Sequence, residues 1–286
     1  MTISASKNNL AQEMFVRTAD ENYITARWCV ANQLYGDFLW LSLHALEKYL
    51  KAVLLVNGRS ARGFGHDIKK IYEKVSELAG ALLPTQLERP TQLVISHWGA
   101  TTPEQYMERM NRFGNADNRY AIYGFVVRSQ DLHMLDAMVF AVRRLTCELD
   151  TSPFIGRDMA APKITHRDLL KGDPTYYGRL FMPLDKLIAE EADTPRQRAA
   201  LNLNFSFAPS KYPHEPMQGG AAESSPVILR RILAPLESKD VSTAMEGLTI
   251  AEWFKTNVQL PKEVEKQIND AMRKAMRIHI TGPWKV

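Results

Sequence analysis

Residues 41–75 read LSLHALEKYLKAVLLVNGRSARGFGHDIKKIYEKV, an apolar run broken by Glu47, Lys48 and Lys51 and followed by a glycine-rich gap that ends at His66-Asp67. An α-helix turns about 100° per residue, so Leu39, Leu43, Leu46, Leu50 and Val53 fall on one stripe. Glu47 sits at the border of that stripe, and Lys51 and Lys48 turn progressively further out. Glu47 and Lys51 are four residues apart and can pair along the helix. The charges leave the stripe intact, but they exclude residues 38–56 as a membrane span. Asp37 is placed to cap this helix, which runs to about Asn57, and Asp67 is placed to cap the next, through Ile68, Ile71, Val75 and Leu78.

Working outward, Phe15, Ala19, Tyr23, Ala26 and Val30 recur at helical spacing within residues 8–34. Short helices are expected over 90–97 and 103–112, a loop over 113–122, and a last long helix over 129–148. Only Pro84, Pro90 and Pro103 precede residue 150, whereas the other 12 of the 15 prolines follow it. Helix interiors exclude proline, so the first half can be densely helical and the second less so. The fold class expected is mainly α: a helical bundle over 8–150, then a mostly helical, proline-rich C-terminal region over 151–286. That region opens on the linker TSPFIGRDMAAPK, with helices near 181–192, 228–234, 245–256 and 261–278. Between them, 204–226 is a long loop without periodicity, although Leu203, Phe205 and Phe207 alternate like a short strand. A loop that long in a compact domain is functional or flexible.

Composition narrows the function classes. The chain is 45% hydrophobic and 24% charged, with a net charge of +4, values of an ordinary globular protein. Its basicity is compatible with a nucleic-acid or nucleotide partner without demanding one. Cys29 and Cys147, the two cysteines, lie in helix-like apolar contexts and read as buried thiols of a reducing compartment. The N-terminus has no signal-peptide core, so a cytoplasmic location is expected. His166 and His214 have no partners at metal-ligand spacing, and neither a metal site nor a cofactor is expected.

The segments HALEKYLKAVLLVNG and GHDIKKIYEKV together resemble the HEPN family (higher eukaryotes and prokaryotes nucleotide-binding domain). ADENYITAR upstream and NRY at 118–120 are similar to that family's first helix and inter-helix loop, so the resemblance covers about residues 10–148. It implies a helical bundle that engages a nucleotide or RNA. Lys48, Lys51 and His66 would then flank the binding groove with Arg119, against the plainer reading of a solvated helix flank and a loop-packing His66 beside the Asp67 cap. The gap itself, with Arg59 and Arg62 among its glycines, can present backbone amides and two guanidiniums to a phosphate, but it lacks the lysine and spacing of a P-loop.

Residues 128–133, RSQDLH, fit the R-x4-6-H motif of HEPN ribonucleases, in a toxin–antitoxin or defence setting. The resemblance implies metal-independent RNA cleavage by Arg128 and His133. Histidine titrates near neutrality and can move a proton at the 2′-OH or the leaving oxygen, while arginine grips the phosphate oxygens in pairs. Leu132, Leu135, Met138, Val139 and Val142 form the core stripe of this helix, leaving His133 on the far side near Ala137, Phe140 and Cys147. That second strip reads as a second packing surface, and the resemblance to HEPN ribonucleases implies that it is a homodimer interface. The alternative is a non-catalytic HEPN binding module paired with another protein, such as a nucleotidyltransferase or a defence-complex component, with His133 a surface or interface residue.

Overall fold

The computed structural model describes residues 3–95, 97–153, 164–178, 180–191, 193–217 and 221–279, apart from the side chains of Ser4 and Arg119. The chain forms two compact units, one from residues 1–115 and 127–222 and the other from 116–126 and 223–286. The expected division at residue 150 is corrected: the chain from 164 to 217 belongs with the bundle, because buried side chains of the bundle bond to it.

The first unit begins with a continuous helical run, α1 (Ile3–Ala11), a π-turn at Gln12–Val16 and α2 (Arg17–Ala31). Helix α3 (Tyr35–Val56) is the hub, packed against α2 as well as α4 (Ile68–Ala79), α5 (Pro103–Phe113) and α6 (Asp131–Arg143). The predicted stripe is its core face, with Leu39, Leu43, Leu46, Leu50 and Val53 buried. Asp37 lies inside the first turn of α3, where its charge suits the helix N-terminus, and is not the cap. Asp67 does cap α4, accepting from the Lys70 amide at 3.3 Å and from Asn111 Nδ2 at 2.7 Å. Thr102 and Gln105 close a reciprocal capping box on α5, whose far end meets α3 so closely that a Cβ on Gly114 would lie 2.5 Å from the Leu39 carbonyl.

Three short helices, α7 (His166–Gly172), α8 (Pro183–Ala189) and α9 (Pro195–Leu201), follow, and α8 and α9 pack on α2. Of these, only α8 falls in a predicted helix. The described part of 90–97 is turn and coil, and 203–207 is a turn in place of the expected strand. The last bundle helix stops at Arg143, before the predicted end at 148. The linker expected at 151–163 falls outside the described residues from 154 onward.

The second unit joins a 3-10 turn (Ala116–Tyr120) to a π-turn (Leu229–Leu233), α10 (Ala234–Leu236), α11 (Val241–Asn257) and α12 (Lys262–His279). Its core is Ile122, Ile228, Ile232, Leu236, Leu248, Leu260, Val264, Ile268 and Met272. Strands β1 (Phe125–Val127) and β2 (Ala222–Ser224) pair where the chain passes from one unit to the other. No described helix is long and apolar enough to cross a membrane.

Candidate functional site

Helix phase carries Glu47 further in than a border position: the residue is 5% exposed, and three cationic or imidazole groups converge on it. Lys51 Nζ donates to Glu47 Oε1 at 2.6 Å and to the Gly65 carbonyl at 2.9 Å, tying α3 to the turn before α4. Gly65 makes that turn at φ +57°, a conformation that favours glycine. His66 Nδ1 then lies 3.0 Å from Glu47 Oε2, and His44 Nδ1, one helical turn before Glu47, lies 3.4 Å from the same oxygen. Burial pushes the Glu47 carboxyl up, but hydrogen bonds from His44, Lys51 and His66, with the Lys51 charge, outweigh it and hold the group down at about 2. Glu47 therefore stays ionised at any physiological pH. Asp67 caps while His66 pairs, so the two residues of the His-Asp step divide the roles.

The other expected binding residues differ in availability. Lys48 is half-buried and donates to Asn22 Oδ1. Arg59 and Arg62 are exposed on the loop between α3 and α4, whose Gly58 and Gly63 have positive φ. Arg119 falls in the 3-10 turn of the second unit, and its side chain lies outside the described residues.

The motif pair is placed differently. Arg128 precedes α6 and is exposed; its amide donates to Asp131 Oδ2 at 2.8 Å. His133 is 5% exposed, stacked on Phe205 with ring centroids 5.9 Å apart, and Phe205 in turn meets His214. Its Nδ1 is buried without a hydrogen-bond partner. Burial lowers the His133 pKa, opposed by Asp136, aided by the Arg27 charge, and opposed again by a backbone bond to Leu203. Within the single chain the two motif residues are placed differently: Arg128 is exposed and His133 is buried.

The apolar strip beside His133 is half-buried at Ala137 and Phe140. Phe140 packs edge-on against Phe207 at 5.3 Å and Tyr177 at 6.0 Å, so residues of the same chain occupy part of that face. The loop from residue 204 is held down at its start. Asn204, fully buried, donates to Tyr23 Oη at 2.9 Å and the Ala200 carbonyl at 2.7 Å, while Asn202 and Glu215 exchange two bonds.

Two buried charge networks beneath this layer escaped the sequence reading. Arg143 grips both oxygens of Asp20 (2.9 and 3.0 Å) and of Asp185 (3.2 and 3.0 Å), and Tyr49 donates to Asp20. Arg27 pairs with Asp136, donates to the Ala199 and Asn202 carbonyls, and lies beside Tyr23, which donates to Asp136 at 2.6 Å. The signal was present in ADENYITAR, where Asp20 and Arg27 stand seven apart on the side of the helix that buries Tyr23. His44 was missed as well, although His-x-x-Glu at 44–47 places both side chains on one helix face.

Residues 12–98 match the family model of the HEPN domain. No curated protein and no solved structure matches the chain. The matched segment holds His44, Glu47, Lys48, Lys51 and the loop to His66, and it ends before Arg128 and His133. Residues 12–98 are therefore similar to a HEPN domain, and the similarity covers that segment alone.

Proposed function

We propose that this protein is a non-catalytic HEPN module that engages the phosphate of a nucleotide or RNA through the loop between α3 and α4. The observation that carries this reading is the burial of His133 under Phe205, apart from the exposed Arg128. Metal-independent cleavage needs an imidazole within reach of the 2′-OH and a guanidinium on the same phosphate. Arg59 and Arg62, by contrast, are exposed on a loop turned by glycines at positive φ, and two exposed guanidiniums suit phosphate oxygens.

The test has two arms. Fluorescence anisotropy with labelled single-stranded RNA should give saturable, salt-sensitive binding that the double substitution Arg59→Ala/Arg62→Ala weakens and makes less salt-dependent. Incubation with RNA should yield no 2′,3′-cyclic phosphate ends. Cleavage that disappears in both His133→Ala and Arg128→Lys would overturn the non-catalytic reading, and binding indifferent to the double substitution would overturn the assignment of the loop.

A further inference from the structure

His44, Glu47 and His66 are brought together by two local causes. His44 and Glu47 share a face of α3, and Lys51 draws in the turn at Gly65, which delivers His66. One donor atom from each of the three lies within 4.8 Å of the other two. Lys51 donates to Glu47 Oε1; His66 Nδ1 lies 3.2 Å from that oxygen and 3.0 Å from Oε2, the oxygen that His44 Nδ1 also faces.

The separations discriminate between a hydrogen-bonded cluster and a coordination site. A tetrahedral ion with ligand bonds of about 2.0–2.1 Å keeps its donor atoms about 3.3 Å apart. The two pairs here are 3.0 and 3.4 Å. The longer is poor for an N–H···O bond, which prefers about 2.7–3.2 Å. His44 has no better bond elsewhere: its Nε2 is buried without a partner, and the side chain is only 19% exposed. A largely buried imidazole with no well-made hydrogen bond at either nitrogen, aimed at a carboxylate oxygen that a second imidazole also faces, is poorly explained as a structural hydrogen bonder. It is well explained as a ligand.

We propose that His44, Glu47 and His66 form a binding site for a divalent transition-metal ion of the zinc type. Two imidazole nitrogens and one carboxylate oxygen suit such an ion better than magnesium or calcium, which prefer oxygen ligands throughout. Three protein ligands leave a fourth position, and the 76% exposure of the His66 side chain opens it to solvent, for a water or an incoming oxygen donor.

The proposal stands apart from phosphate binding by Arg59 and Arg62, and its test does not use RNA. Full-length protein stripped with chelator is titrated with Zn2+ by calorimetry, with Co2+ by visible absorption, and with Mg2+. The expected result is one Zn2+ per chain, d–d bands for Co2+, no saturable Mg2+ binding, and a higher melting temperature with Zn2+. His66→Ala, at an exposed position, should keep the fold and weaken Zn2+ binding by more than the roughly 10–100-fold typical of losing an outer-shell partner. Glu47→Gln should do the same, while His97→Ala, at an exposed histidine elsewhere, should change nothing. Equal Zn2+ affinity in wild-type and His66→Ala protein, or no saturable binding in wild type, would overturn the proposal.

Discussion

Two histidines of the first unit, His66 and His133, each face a carboxylate-bearing neighbourhood, and the fold treats them in opposite ways. His66 stands at the end of a glycine turn, 76% exposed on its side chain, beside an ionised Glu47. His133 sits on a bundle helix, covered by Phe205, with one ring nitrogen unpartnered and its charge disfavoured by burial. The lesson is that spacing within a helix identifies which residues share a face, but whatever later segment packs on that face decides whether it does chemistry. For His133 that segment is the chain around 203–214, more than 60 residues downstream and without periodicity to announce it.

The comparison can be broken first at the buried layer. Arg143→Met would leave Asp20 and Asp185 buried without their countercharge, and stability should fall by about 3–5 kcal/mol in urea unfolding. A loss under 1 kcal/mol would mean that residues 164–217 do not pack as described. His133→Ala should cost less, about 1–3 kcal/mol, by opening a small cavity against Phe205. His133→Phe keeps the ring stack and removes the orphaned nitrogen, so it should recover most of that loss. A phenylalanine variant as unstable as the alanine one would instead credit the bond to Leu203.

Acid separates the two regions by pH window. His133 has a folded pKa below its ordinary value of 6.5, so the unfolded chain binds the proton first. Its contribution to stability is therefore complete above about 6.5 and is lost as pH falls below that value. Glu47 is held at about 2 against an ordinary 4.5, so its contribution persists to about pH 4.5 and is lost between there and about 2. Unfolding free energy measured across pH should show the first loss flattened in His133→Phe and the second flattened in Glu47→Gln. The smallest effect belongs to the loop: Arg59→Ala/Arg62→Ala should stay within about 0.5 kcal/mol of wild type in stability, as exposed substitutions do.

Much of the bundle was legible. The 39–53 stripe, the Asp67 cap and the short helix from 103 all follow from local rules, because helix period and capping are set by residues within a few positions of one another. The Glu47–Lys51 pair was legible for the same reason. The inward placement of Glu47 and its convergence with His66 were not, since they depend on a turn whose direction Gly65 and Lys51 set together. Helices α7 and α9 were missed because seven residues carry too little periodicity to register. Arg27, Asp20 and Arg143 were not singled out, because nothing local says that partners more than 100 residues away will meet them.

The central claim is that the accessible histidine chemistry of this protein lies at His66 and not at His133. Diethylpyrocarbonate labelling of the native full-length chain, read residue by residue by mass spectrometry, tests it directly. His66 should be modified early and His133 only under denaturing conditions, while His133 becoming labelled as fast as His66 in the folded protein would contradict the account.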